Sequence, residues 1–165
     1  MTFLDSTEDP KRAQARALKL FVVVTLVVGA GGSLFTQPNI PTWYAHLVRP
    51  AIAPPNWVFA PVWTTLYVMM AYAAWRVWKK TGLKSIEMAA WGIQLVLNFA
   101  WSAIFFTLHA IFAALVEIVL LDAAILLTLV LFWRRDRLAG LLLAPYLGWT
   151  LFATALTHAF WRLNG

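Results

Sequence analysis

The sequence predicts an all-α integral membrane protein, a bundle of five transmembrane helices with a cytoplasmic N-terminus. Three observations carry that prediction. Of 165 residues, 62% are hydrophobic and 12% charged, with a mean hydropathy of +0.73, so little of the chain belongs outside a bilayer. Five apolar runs approach the roughly 20 residues that cross a hydrocarbon core. Finally, eleven of the thirteen lysines and arginines fall on one side when all five runs span.

The first helix is expected over about Lys19–Phe35, after a polar segment (residues 1–18) that is frayed or lies at the interface. The second covers about Val58–Val77, the third Ile86–Phe106, the fourth Ala110–Trp133 and the fifth Leu138–Trp161. Residues 19–165 thus form one membrane domain. Lys11, Arg12, Arg16 and Lys19 precede the first helix, Arg76, Lys79, Lys80 and Lys84 follow the second, and Arg134, Arg135 and Arg137 follow the fourth. Only Arg49 and Arg162 lie opposite. Positive residues concentrate on the cytoplasmic side, which orients the chain, favours a cytoplasmic (inner) membrane over an outer one, and explains the net charge of +6 without nucleic acid. The small residues Gly29–Ser33 after a basic start resemble a signal-peptide cleavage region, but the apolar run is long for one; they equally permit close helix packing. With no cysteine, disulfides, thiolate metal sites and cysteine nucleophiles are excluded.

The most informative stretch is Trp43–Tyr67, with three tryptophans, two tyrosines, a phenylalanine and four prolines. Such rigid side chains lose little entropy on ordering and can present a preformed apolar surface to a flat ring-shaped ligand. Phe59, Trp63, Tyr67 and Met70 share a face of the second helix, Asn98, Trp101 and Phe105 of the third, and Trp149, Ala153, Leu156 and Phe160 of the fifth. Helix-to-helix packing is the simpler account of such stripes, and an aromatic belt that of Trp75, Trp78, Trp91, Trp133 and Trp161 near the span ends. Trp101 and Trp149 fit it less well, because an indole N–H deep in the bilayer needs a partner. The Asn98 amide must likewise bond across helices or to a ligand.

These motifs resemble the tryptophan-rich sensory protein or translocator protein family (TspO/MBR, peripheral benzodiazepine receptor) from Gly29 to Asn164. The loop pattern is Trp43-Tyr44, Arg49-Pro50, Pro54-Pro55, Trp57, Phe59 and Pro61-Val62-Trp63-Thr64 through Leu66-Tyr67. The third helix shows Gln94-Leu95, Leu97-Asn98, Trp101 and Phe105-Phe106; the fifth shows Pro145-Tyr146, Trp149, Phe152-Ala153, Leu156 and Trp161-Arg162. The resemblance implies a five-helix bundle, usually a homodimer, that binds porphyrins such as protoporphyrin IX or haem, sterols and synthetic aromatic ligands under the loop between the first two helices. Carried over by position, the pocket is lined by Trp43, Tyr44, Pro54, Trp63, Asn98, Trp101, Phe105, Trp149 and Ala153. Trp63 and Trp149 match the tryptophans implicated in light-dependent porphyrin degradation. The sterol motif of the fifth helix is incomplete: Leu156 and Arg162 flank His158, with no tyrosine between them, which makes sterol a doubtful ligand.

Glu117 and Asp122 fall inside the fourth helix, where carboxylates are functional candidates. A spacing of five turns them roughly 140° apart, so they face different surroundings. Glu117 matches an acidic position of the family, and both a functional and a structural role are open to it; for Asp122 a structural role is expected, as a neutral carboxyl or one hydrogen-bonded between helices. His46, His109 and His158 fall at the loop side without a metal-ligand spacing, and no metal site is expected. No conventional catalytic arrangement is visible. The leading expectation is a tetrapyrrole receptor or sensor that regulates or carries its ligand, against a light- and oxygen-dependent porphyrin-degrading enzyme and a passive porphyrin or sterol transporter.

Overall fold

A computed structural model describes residues 9–165, and the chain over this range is helical throughout apart from its connections. Helix α1 (Pro10–Thr36) begins where the Asp9 carboxylate accepts from the backbone N–H of Lys11 at 3.0 Å and Pro10 takes the first helical position, both start signals. It therefore begins nine residues before the predicted Lys19. Residues 10–18 are not frayed: strong helix formers dominate them, and the Trp75 indole donates to the Gln14 carbonyl at 3.0 Å. Residues 1–8 of the predicted polar segment lie outside the described residues.

Helix α2 (Phe59–Thr81) stops at Gly82, whose φ of 73° ends the helix at a residue without a Cβ. Ser85 caps α3 (Ile86–Ser102) through its hydroxyl, which accepts from the Met88 N–H at 3.3 Å. A π-helical turn over Ala103–Thr107 prolongs α3, a widening that the sequence reading had not anticipated. Helix α4 (Ile111–Arg135) and helix α5 (Arg137–Asn164) are separated by Asp136 alone, whose carboxylate accepts from the Ala139 N–H at 3.1 Å.

Neighbouring helices pack in the order α1–α2–α5–α4–α3, and α3 closes the ring on α1. α2 is the most enclosed at its lower half, where Met70, Ala71, Ala73, Ala74 and Val77 are fully buried. Small residues bring α1 close: a Cβ on Gly29 would stand 2.4 Å from the Tyr67 ring, and one on Gly31 2.7 Å from Phe99. All five helices are long and apolar enough to cross a membrane.

The two ends of the bundle differ. At the basic end, Asp136 receives Arg76 Nη2 at 2.9 Å and Lys80 Nζ at 2.9 Å, and Arg135 Nε meets Glu87 at 2.6 Å. Hydrogen bonds from Arg76 above all, with those from Lys80 and the Ala139 N–H, hold the Asp136 carboxyl well below the usual carboxylate range against the opposing effect of burial. At the other end, the connection between α1 and α2 folds over the bundle through short 3₁₀ turns at Gln37–Asn39, Tyr44–His46 and Asn56–Val58. Of the tryptophans expected at the span ends, Trp91 departs: it is buried against Phe21, ring centroids 5.3 Å apart.

Candidate ligand cavity

Beneath that connection lies a cavity of about 550 Å³, within the range of about 300–1,000 Å³ typical of small-molecule sites. The three predicted aromatic faces converge on it. Phe59, Trp63 and Tyr67 come from α2, Asn98 and Trp101 from α3, Phe105 from the π turn, and Trp149, Ala153, Leu156 and Phe160 from α5. Met70, predicted on the α2 face, lies deeper in the core, outside the wall. The π turn brings consecutive residues, Phe105 and Phe106, to the same wall, and Phe105 stacks on Trp101 at 5.1 Å and 17°.

Seven of the nine residues expected at the site line the cavity; Trp43 and Pro54 do not. Consecutive residues at a 3₁₀ turn diverge by about 120°, so Trp43 and Tyr44 cannot both face inward. Tyr44 does, packed against Phe160 at 5.4 Å and Phe106 at 5.8 Å. Burial pushes its hydroxyl pKa up, with Arg49 pulling the other way. Trp43 stacks on His109 and meets Phe105 edge-on at 5.4 Å, behind the wall rather than on it. Pro54 serves through its backbone, its carbonyl accepting from Arg49 Nη2 at 2.7 Å while the same nitrogen donates to Asn56 Oδ1 at 3.1 Å. The clasp shapes the loop rather than the wall.

Below the aromatic walls runs a polar chain. The Tyr67 hydroxyl donates to Asn98 Oδ1 at 2.7 Å, Asn98 Nδ2 donates to the Tyr146 hydroxyl at 3.2 Å, and that hydroxyl donates to Gln94 Oε1 at 2.9 Å. The Asn98 amide thus bonds across helices, tying α2, α3 and α5 together, with no need of a ligand. Trp63 stacks on Tyr67 at 5.6 Å and 29° and meets Tyr146 edge-on at 6.2 Å, which fixes its plane. The Trp101 and Trp149 rings line the cavity, but their Nε1 atoms are closed off from it and find no partner in the protein, as is also true of Trp91 away from the cavity.

The polar residues weighed separately sort as follows. Asp122 accepts from Thr154 Oγ1 at 2.7 Å, the expected bond between helices. Glu117 is buried with both carboxylate oxygens unpartnered, off the cavity wall. Each histidine has its own partner: His46 the Thr42 carbonyl, His109 Trp43 and Asn39, and His158 Trp161. Sequence reasoning had not included Gly29, Ser33, Thr64 or Thr157 among the lining residues. The signal for Gly29 was present in its small-residue run, but which helix it approaches is a tertiary fact.

With this geometry established, comparison with known proteins is decisive. The TspO/MBR family model matches residues 21–162. The chain belongs to the TspO/MBR family. It is 43% identical over 148 residues to the tryptophan-rich protein TspO of Archaeoglobus fulgidus, covering 87% of this chain and 94% of the relative. It is 39% identical over 137 residues to the human translocator protein, covering 81% of each. To the tryptophan-rich sensory protein of Cereibacter sphaeroides it is 33% identical over 145 residues, covering 88% of this chain and 91% of that one. Together with the five apolar helices, membership in this family makes the chain an integral, multi-pass membrane protein.

Proposed function

We propose that the protein is a membrane receptor or sensor that holds a flat tetrapyrrole of the protoporphyrin IX or haem class in the cavity beneath the α1–α2 connection. The observation that carries this reading is the convergence of Trp63, Trp101, Phe105 and Trp149 on one cavity of about 550 Å³ beneath the connection. Flat aromatic walls offer a ring ligand stacking surface. Tyr44, Trp63, Phe105 and Ala153 supply surface and space. An apolar pocket discriminates weakly among flat ring systems, so synthetic aromatic ligands bind too, whereas sterol is disfavoured by the incomplete motif at His158. The names of relatives, sensory protein and translocator protein, are consistent with a receptor that also carries its ligand. The basic end faces the cytoplasm, in a cytoplasmic membrane, and the working unit is a homodimer.

The test is a dark titration of the purified protein with protoporphyrin IX, following tryptophan quenching, beside Trp63→Phe and Trp149→Phe. Saturable quenching in the micromolar range, weakened by either change, is expected; linear quenching indifferent to both overturns the reading. A second reading, light-dependent porphyrin degradation, is favoured by the joint presence of Trp63 and Trp149 on the wall. Illumination of the same complex separates the two. Bleaching lost in the double variant while binding persists supports the enzyme, and porphyrin unchanged by light supports the receptor alone.

A further inference from the structure

The cavity has a side as well as a roof. Its roof is fastened: Asn164 at the end of α5 grips Val48 twice, accepting from its N–H at 2.7 Å and donating to its carbonyl at 3.1 Å. His109 pairs with Asn39 at 3.2 Å and stacks on Trp43. Within the middle of this cover the residues that reach the cavity, Ile40 and Tyr44, are only partly exposed; Gln37 and Asn56, where the connection leaves α1 and enters α2, are exposed.

Among the described residues, those that both line the cavity and are exposed at the protein surface fall in two rows. Leu26, Ala30, Ser33 and Gln37 run up α1 and its 3₁₀ extension at i, i+4, i+7 and i+11. Asn56, Ala60 and Thr64 run down the facing start of α2 at i, i+4 and i+8. The cavity is therefore bordered by exposed residues along the α1–α2 seam, between two helices long and apolar enough to cross a membrane. At 1.5 Å per residue the row from Gln37 to Leu26 reaches roughly 16 Å into the bilayer.

The chemistry of the seam is graded. At its outer end stand the amides Gln37 and Asn56, with Arg49 bonded to Asn56. Deeper, alanine faces predominate, and the hydroxyls are spent on their own helix: Ser33 donates to the Gly29 carbonyl at 3.1 Å and Thr64 to that of Ala60 at 2.8 Å. No free donor holds a passing ligand or exposes the helix to hydrocarbon. A flat ring with anionic groups, dissolved in a leaflet with its charges among the headgroups, matches this gradient from end to end.

We infer that the ligand reaches the cavity from the bilayer, ring edge first through the slit between Ala30 and Ala60, and not from water past the loop. The inference rests on the tetrapyrrole reading above and adds its route. Its test uses the full-length protein in lipid nanodiscs, with protoporphyrin IX as probe and stopped-flow tryptophan quenching as readout. Ala30→Phe and Ala60→Phe are expected to slow association and dissociation together, each by about tenfold or more. Ala30→Val and Ala60→Val slow both rates less, a graded effect that misfolding does not produce. Asn164→Ala, which releases the roof, leaves the association rate unchanged. If instead the seam variants keep the normal rates and Asn164→Ala speeds association, ligand comes past the loop and the inference is overturned. Binding that fails to saturate even in the unmodified protein overturns the tetrapyrrole reading, and the route with it.

Discussion

Trp43 stacks on His109 with ring centroids 4.3 Å apart and planes 13° from parallel. His109 takes a φ of 53°, a left-handed backbone uncommon outside glycine, and so presents its ring upward from the α3–α4 connection. The pair fastens the α1–α2 connection to the neighbouring α3–α4 connection. Trp43→Ala is therefore expected to act on loop stability, at a cost of about 0.5–1.5 kcal/mol for the ring pair beyond lost area. Hydrogen exchange of amides 39–58 should accelerate in this variant, while its effect on ligand affinity stays below that of Trp63→Ala. An equal loss of affinity in both would place Trp43 at the ligand after all.

Gly29 admits the Tyr67 ring where a methyl group would overlap it. Gly29→Ala should lower thermal stability in detergent by an amount typical of overpacking, about 1–3 kcal/mol. Tyr67→Phe keeps the offending ring and should not rescue it, whereas Tyr67→Ala should. Lack of rescue by the smaller side chain would locate the damage elsewhere.

Asn98 satisfies two buried tyrosine hydroxyls at once. Asn98→Leu leaves Tyr67 without its acceptor and Tyr146 without a donor, at about 1–3 kcal/mol for each buried group left unpaired. Asn98→Leu combined with Tyr67→Phe removes both partners of one bond and should recover part of the loss. A double-mutant cycle on melting temperature measures that recovery, and strict additivity would contradict the network.

Asp136 predicts a pH dependence. Its folded carboxyl is held below the unfolded value of about 3.9, so the stabilisation is fully present above that pH. It is lost as pH falls through the lowered folded value, because the unfolded chain binds the proton first. Melting temperature should drop on acidification below about pH 4. Asp136→Asn should be less stable at neutral pH and lose less on acidification. A variant with the unmodified acid sensitivity would remove Asp136 from the account.

The bundle was legible in the sequence because hydrocarbon imposes one rule on every span: about twenty apolar residues in a helix that satisfies its own backbone. The faces Phe59–Trp63–Tyr67, Asn98–Trp101–Phe105 and Trp149–Ala153–Leu156–Phe160 were legible for a related reason, since helical periodicity survives without knowledge of neighbours. The start of α1 was not, because Asp9 and Pro10 set it in a polar stretch without hydropathic signal.

What only the tertiary structure decided is which way each loop and boundary residue turns. Trp43 and Tyr44 are adjacent in sequence, yet one braces the loop on His109 and the other faces the cavity. Asn98 finds Tyr67 and Tyr146, and Val48 finds Asn164 across 116 positions of chain. Ala30 and Ala60 border one cavity only because of how α1 packs against α2, with Gly29 on the Tyr67 ring. Periodicity along one helix fixes a direction relative to its own axis; the rotation of that axis against its neighbours is set by packing, and packing joins residues that no local pattern connects.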